Sequence, residues 1–170
     1  MVFRPFYRAP KHINFIILGQ DPYPNLKYAT GLAFDIPEEC RKNKDYPLSF
    51  EVLNRKFNEE VDKDLWIDMP LWLYQGTLPL NCSLTCEQGK PGSHKVYWSD
   101  FVEHILNLVK KTNENKSLVW LFLGSDAAKY KYLTKKEDLV IVTNHPASKY
   151  PCEPRFDLIQ KKLHYLDLPF

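Results

Sequence analysis

Three side chains of different chemical type stand where each could act on a small polar molecule: the carboxylate of Asp21, the carboxamide of Asn81 and the imidazole of His145. Each closes or follows a short apolar run. Phe15-Ile16-Ile17-Leu18 breaks at Gly19 and leads straight into Gln20-Asp21-Pro22-Tyr23-Pro24, a polar segment stiffened by two prolines of fixed φ. Thr77-Leu78-Pro79-Leu80 ends in Asn81, and Leu139 to Val142 runs out at Asn144-His145-Pro146. A carboxylate can orient water or stabilise a developing cation. A carboxamide offers a donor and an acceptor side by side. Taken singly, each residue also has an ordinary reading. Asp before Pro opens turns, Asn81 suits a turn, and His145 before Pro suits a loop.

The elements that must position these groups follow from periodicity. Continuous or alternating apolar runs at Ile13–Leu18, 77–81, Leu118–Leu123 and Leu139–Val142 predict four short strands, with Pro79 confining the second to an edge or near-edge position. Phe50, Leu53 and Phe57 predict a helix capped by Ser49, and Pro70–Tyr74 a helical turn. Trp98, Phe101, Val102, Ile105, Leu106 and Val109 predict an amphipathic helix over roughly His94–Lys111, capped by Ser93. Asp126–Leu133 reads as a short helix and Arg155–Leu166 as a last one, with Phe156, Ile159 and Leu163 inward. Glu38–Asp45 and Glu59–Asp64 read as charged, solvated segments, and residues 1–12 as a basic lead-in rather than a processed leader.

Strands alternating with helices predict an α/β fold: three layers, with a central four-stranded, mainly parallel twisted sheet flanked by helices. In such a sheet ligands bind outside the carboxyl ends of the strands, which is where Asp21, Asn81, Gly124-Ser125 and His145 all fall.

At 170 residues the chain is read as one domain with room for a proper core. Its formal net charge of +2 does not demand a nucleic-acid partner, so any such face must be local. The 14% aromatic content suits both a packed core and a surface on which flat bases stack. Cys40, Cys82, Cys86 and Cys152 form no Cys-x-x-Cys pair and read as free thiols of a reducing compartment. No apolar run approaches the ~20 residues of a membrane span.

Five ordered motifs together resemble the uracil-DNA glycosylases of family 1. They are Gly19-Gln20-Asp21-Pro22-Tyr23 followed by Gly31-Leu32-Ala33-Phe34; Pro47 and Ser49; Gln75 through Asn81 to Thr85; Leu123-Gly124-Ser125; and His145-Pro146-Ala147-Ser148. The resemblance implies hydrolysis of the bond between uracil and deoxyribose in single- or double-stranded DNA after the nucleotide is flipped out, leaving an abasic site. By the same resemblance Asp21 and His145 are catalytic, while Gln20, Tyr23, Phe34 and Asn81 hold the base. Pro47, Ser49, Gly124, Ser125, Ser148 and Lys149 then face the DNA backbone. No metal and no cofactor are implied. The expected protein is an intracellular monomer, of a bacterial or viral cytoplasm or of a nucleus, whose further partners would be a protein inhibitor or a replication protein. Lys129, Lys131, Lys135 and Lys136 read equally as a DNA-facing patch or a solvated face, and His94 as a second phosphate contact or a helix-start residue.

The chain departs from the family pattern in four places, one of them Asn25–Thr30, which keeps the family's length but lacks its usual Gly-Pro and the His before Gly31. Pro24 stands where the family usually has His. Lys149 stands where the family has the leucine wedged into the duplex, a replacement by a basic residue that the poxvirus members share. Only residues 1–12 precede the first strand, so the family's N-terminal helical region is reduced. These departures keep open an alternative: a DNA-binding or polymerase-tethering relative with weak or no excision.

Overall fold

The computed structural model describes residues 1–163. Two 3₁₀ turns, Arg4–Tyr7 and Pro10–His12, lead into β1 (Phe15–Gly19). Helices α1 (Glu38–Lys42), α2 (Leu48–Val61) and α3 (Met69–Gln75) precede β2 (Thr77–Asn81). Helix α4 (Lys95–Thr112) leads to β3 (Val119–Leu123), and α5 (Ser125–Ala128) with a 3₁₀ turn (Lys129–Leu133) to β4 (Leu139–Thr143). The last described element is α6 (Phe156–Leu163). The part of the expected final helix beyond Leu163 lies outside the described residues.

The sheet has the order β2-β1-β3-β4, and every neighbouring pair is parallel. Pro79 sits in β2 as expected, at the sheet's edge. Because side chains alternate across a strand, β1 and β3 feed two cores at once. Phe15, Ile17, Val119, Leu121 and Leu123 pack with α2, α3 and α6, through Phe57, Trp72 and Phe156. Ile16, Leu18, Trp120 and Phe122 pack against α4, through Val102, Leu106 and Val109. Fully burying a side chain of this size contributes about 1.5–3 kcal/mol, so the two central strands anchor everything attached to their ends. Strand β1 connects outward to β2 on one side and its neighbour β3 connects outward to β4 on the other, so the connections diverge between them. That is the switch point where such sheets open a crevice.

Several local expectations are corrected. Ser49 does not cap α2: the helix starts at Leu48 behind Pro47, no side chain caps it, and Ser49 lies buried in the first turn. The α2 helix runs on through Glu59 and Glu60 to Val61, into the segment expected to be loop. Ser93 does not cap α4. Its Oγ instead accepts the Glu87 N–H at 2.8 Å, and His94 stands at the cap position. Residues Glu38–Lys42 form a helix whose Cys40 is buried, where a charged exposed stretch was expected. The 126–133 segment is one short α-turn continued as 3₁₀.

Candidate active site

The ladders do not stop where the strands do. Beyond the β1–β2 pairing, Cys82 N–H donates to Gly19 O at 2.9 Å and Ser83 N–H to Gln20 O at 3.0 Å, so the segment carrying Asp21 runs beside Asn81. On the outer side of β2, Ala33 N–H donates to Pro79 O at 3.1 Å, which lays the Gly31–Phe34 segment along that edge. Beyond β3, Gly124 N–H donates to Thr143 O at 2.9 Å and draws the Gly124 turn toward His145. Backbone pairing alone thus collects residues from four separate strand ends.

The ends of β1, β2 and β4 meet with the Gly31–Phe34 segment in a cavity of about 300 Å³ lined by Gln20, Asp21, Tyr23, Phe34, Asn81 and His145, with Pro22, Pro24, Leu32, Ser49 and Pro91 completing the wall. Gly19 makes this convergence possible. A Cβ there would lie 2.6 Å from Asn81 Oδ1 and 2.8 Å from the Phe34 ring, so only glycine lets the amide and the ring close over the strand end. Phe34 holds a left-handed φ of 57°, uncommon for a bulky residue, and its ring centre lies 5.9 Å from that of His145 at 42°.

The Asp21 carboxylate is asymmetric. Its Oδ2 accepts the Gln20 side-chain N–H at 2.7 Å and the Gly92 backbone N–H at 2.8 Å. Its Oδ1 is buried and takes no hydrogen bond from the protein. A buried carboxylate oxygen left without a donor is costly unless a ligand or water serves it. Gln20 therefore acts on the carboxylate.

His145 accepts the Ala147 backbone N–H on Nδ1 at 3.2 Å. A neutral ring holding that bond carries its own proton on Nε2. Burial holds the imidazole's pKa below its ordinary value, against the opposing pull of the Asp21 charge. The Tyr23 phenol is pushed well up by burial, and Ser49 Oγ donates to its oxygen at 3.4 Å.

The remaining expected residues lie outside this cavity. Pro47 lines an adjoining open depression with Tyr23, Pro24, Asn25, Tyr28, Gln88 and Gly89. Gly124 has φ +99°, and a Cβ there would come within 3.2 Å of His145 Cβ, while Ser125 is exposed. Ser148 Oγ accepts the Tyr150 N–H at 3.1 Å, and Lys149 is exposed with Nζ 5.2 Å from the Tyr150 ring centre. His94 and part of the lysine patch have partners within the chain. His94 Nδ1 shares a 2.9 Å hydrogen bond with Thr85 Oγ1, which also accepts Trp98 Nε1–H. Lys135 donates to the carbonyls of Asn113, Glu114 and Lys116 and so ties a loop, while Lys129 pairs with Asp126. Among the described residues no group of three or more His, Cys, Asp or Glu could hold a metal ion.

Sequence reasoning missed two features. Gly92 and Pro91 reach Asp21 and the cavity wall across 71 residues of chain, a contact with no local signal. Asp35, 2% exposed, pairs with Arg41 at 2.7 Å and Arg4 at 3.4 Å directly behind Phe34. Burial raises its pKa, opposed by Thr30 and the two guanidinium groups.

A scan against protein-family models found no match. Among curated proteins, the uracil-DNA glycosylase of Borrelia duttonii (strain Ly) is 32% identical over 178 aligned positions, covering 98% of this chain and 75% of the relative. The chain belongs to the uracil-DNA glycosylase family. The uracil-DNA glycosylase of Bordetella pertussis (strain Tohama I) is 34% identical over 142 residues, 82% of this chain, and the chain spans only 54% of that relative. Among solved structures, a variant of the mimivirus uracil-DNA glycosylase in complex with UGI is 25% identical, with a TM-score of 0.72 over 85% of this chain and 55% of that one. A second variant in complex with UGI superposes at a TM-score of 0.77 over 97% of this chain and 69% of that one. At 22% identity it speaks for the fold alone. A four-stranded parallel sheet with flanking helices is thus the uracil-DNA glycosylase fold here as in those relatives. Among the described residues no helix is long and apolar enough to cross a membrane.

Proposed function

We propose that this protein hydrolyses the N-glycosidic bond of a flipped-out uracil in DNA, releasing the base and leaving an abasic site. One observation carries the reading: Asp21, Asn81 and His145, from three strand ends, and Phe34, from the segment along the β2 edge, line a single cavity of about 300 Å³. As the bond between N1 and the sugar breaks, its electron pair leaves with uracil and the sugar becomes cationic. An ionised Asp21, held by two donors on Oδ2, has Oδ1 free to orient the attacking water and face the cation. A neutral His145 with its proton on Nε2 donates to the uracil oxygen on which negative charge grows, a bond stronger in the transition state than in the ground state. The Asn81 amide matches uracil O4 and N3–H and mismatches cytosine, whose donor and acceptor are exchanged. Phe34 stacks on the base, and Tyr23, fastened to Ser49, stands where a thymine methyl would have to go. Pro47, Ser125 and Ser148 at the mouth fit backbone contacts to the phosphates. By likeness to the mimivirus protein, the same mouth would receive a protein inhibitor.

Uracil release from single- and double-stranded oligonucleotides tests the reading. The intact protein is expected to release it, Asp21→Asn and His145→Leu to lose at least about 100-fold, and Tyr23→Ala to gain some thymine release. No release by the intact protein at low and moderate salt would sink the proposal.

A second reading, a DNA-holding or polymerase-tethering relative with weak excision, is favoured by one observation. Lys149, exposed and turned over the Tyr150 ring, occupies the place of the family's apolar wedge. It predicts DNA affinity indifferent to replacing uracil by thymine.

A further inference from the structure

The Gly92 N–H that holds Asp21 comes from an exposed loop: residues 87–91 all face solvent. Its internal bonds are Glu87 N–H to Ser93 Oγ at 2.8 Å, Lys90 N–H to Glu87 O at 3.0 Å and Ser93 N–H to Lys90 O at 3.4 Å, the last closing a turn around Pro91 and Gly92, and Gly89 N–H reaches Pro24 O at 3.3 Å. These bonds shape the turn at Gly92, and none of them reaches the turn after β3. Lys95, in the first turn of α4, reaches both. Its backbone N–H donates to Gly92 O at 3.4 Å, and its side chain folds back over the glycine, so that a Cβ at Gly92 would lie 3.0 Å from Lys95 Cε and 3.3 Å from Nζ. The ammonium then pairs with Asp126 Oδ2, two residues after Gly124 at the end of β3. Lys129 holds the other oxygen, Oδ1, at 2.8 Å. Asp126 is 14% exposed and Lys95 37%, so this pair is more shielded than an ordinary surface ion pair.

We infer that the Lys95–Asp126 ion pair is a clip that ties the loop after β2 to the turn after β3, and that Lys95 is a positioning residue which keeps the Gly92 N–H on Asp21. The inference rests on the glycosylase reading for its effect on turnover. Its logic is that a carboxylate is oriented only as well as its donors are. Among the hydrogen bonds and ion pairs of the described residues, the link from this loop to the turn after β3 is the Lys95 side chain. Gly92 at φ +79° is part of the device, because any side chain there would displace the Lys95 stem. The groups facing Asp21 are Gln20 on its own segment, Cys82 and Cys86 on the loop after β2, and His145 beyond β4. Lys95, Asp126 and Lys129 form the charged cluster behind Cys82.

Two variants separate the clip from a simple electrostatic effect. Lys95→Met removes a positive charge and Asp126→Asn a negative one, so through-space effects on Asp21 have opposite signs. Loss of the clip has one sign, since losing a donor to the charged form raises a carboxyl pKa. The measurement is the carbon-13 titration of the Asp21 carboxyl, assigned by its disappearance in Asp21→Asn, alongside kcat and KM for uracil release from a single-stranded oligonucleotide. The expected result is that both variants move the titration in the same, upward direction, with kcat falling roughly 10- to 100-fold and KM little changed. Lys95→Arg, which can still reach Asp126, should restore both. Opposite titration shifts in the two variants would overturn the inference. So would a raised KM with unchanged kcat, which would make Lys95 a phosphate contact. If the intact protein released no uracil, the glycosylase reading would fail, yet the titration would still decide whether the clip exists.

Discussion

His145 ties its own protonation to the stability of the fold. Burial lowers its pKa in the folded state, while the unfolded chain takes up the proton near the ordinary imidazole value of 6.5. Between those two values the unfolded state binds more protons, so stability rises with pH through the window and is lost as pH falls through it. Urea midpoints measured from pH 7 down to pH 5 should fall more steeply for the intact protein than for His145→Leu, and parallel curves would contradict the assignment. The same protonation removes the neutral imidazole, so turnover should decline over the same acid range. Gly19 is the other residue whose replacement speaks to the site. Gly19→Ala places a methyl 2.6 Å from Asn81 Oδ1 and 2.8 Å from the Phe34 ring. Overpacking of this kind costs about 1–3 kcal/mol. The displaced amide should lower uracil release roughly 10- to 100-fold, measured beside a circular-dichroism check that the chain still folds.

At the scale of elements, the strands were legible and their fastenings were not. Apolar runs announce β1, β3 and β4 because each is too short and too continuously apolar to be an amphipathic helix, and Pro79 announces that β2 lies at an edge. Asp21, Asn81 and His145 were legible for the same reason, since the carboxyl ends of parallel strands gather on one side. What failed were judgements that needed a partner in space. Ser49 has the composition of a cap, but its hydroxyl is turned to Tyr23. Ser93 is likewise turned to the Glu87 backbone. Gly92 gave no local sign, because its contact with Asp21 spans 71 residues, and the Arg4 contact of Asp35 spans 31. The helices on the α2 face depend on one aromatic contact set: Phe156 meets Phe57 edge-on at 5.3 Å and Trp72 at 6.0 Å. Phe156→Ala should cost about 3–5 kcal/mol of unfolding free energy in denaturant melts. A loss below about 1 kcal/mol would mean that α6 contributes little to this core.

For the molecule as a whole, the charge balance is nearly even, at a net +2. Association with a polyanion would then be governed by where exposed charges such as Lys149 lie, rather than by their total. The sheet also distributes its protection unevenly. Strands β1, β2 and β3 are buried along their whole length, whereas β4 is buried only at Ile141 and leaves Val142 45% exposed. Amide exchange should therefore proceed faster across β4 than across β1 or β3, by openings well short of global unfolding. Because His145 follows β4 while Asp21 and Asn81 follow protected strands, each such opening would withdraw the imidazole and leave the carboxylate and the carboxamide in place. On warming, excision would fade before the core melts, and it would return on cooling.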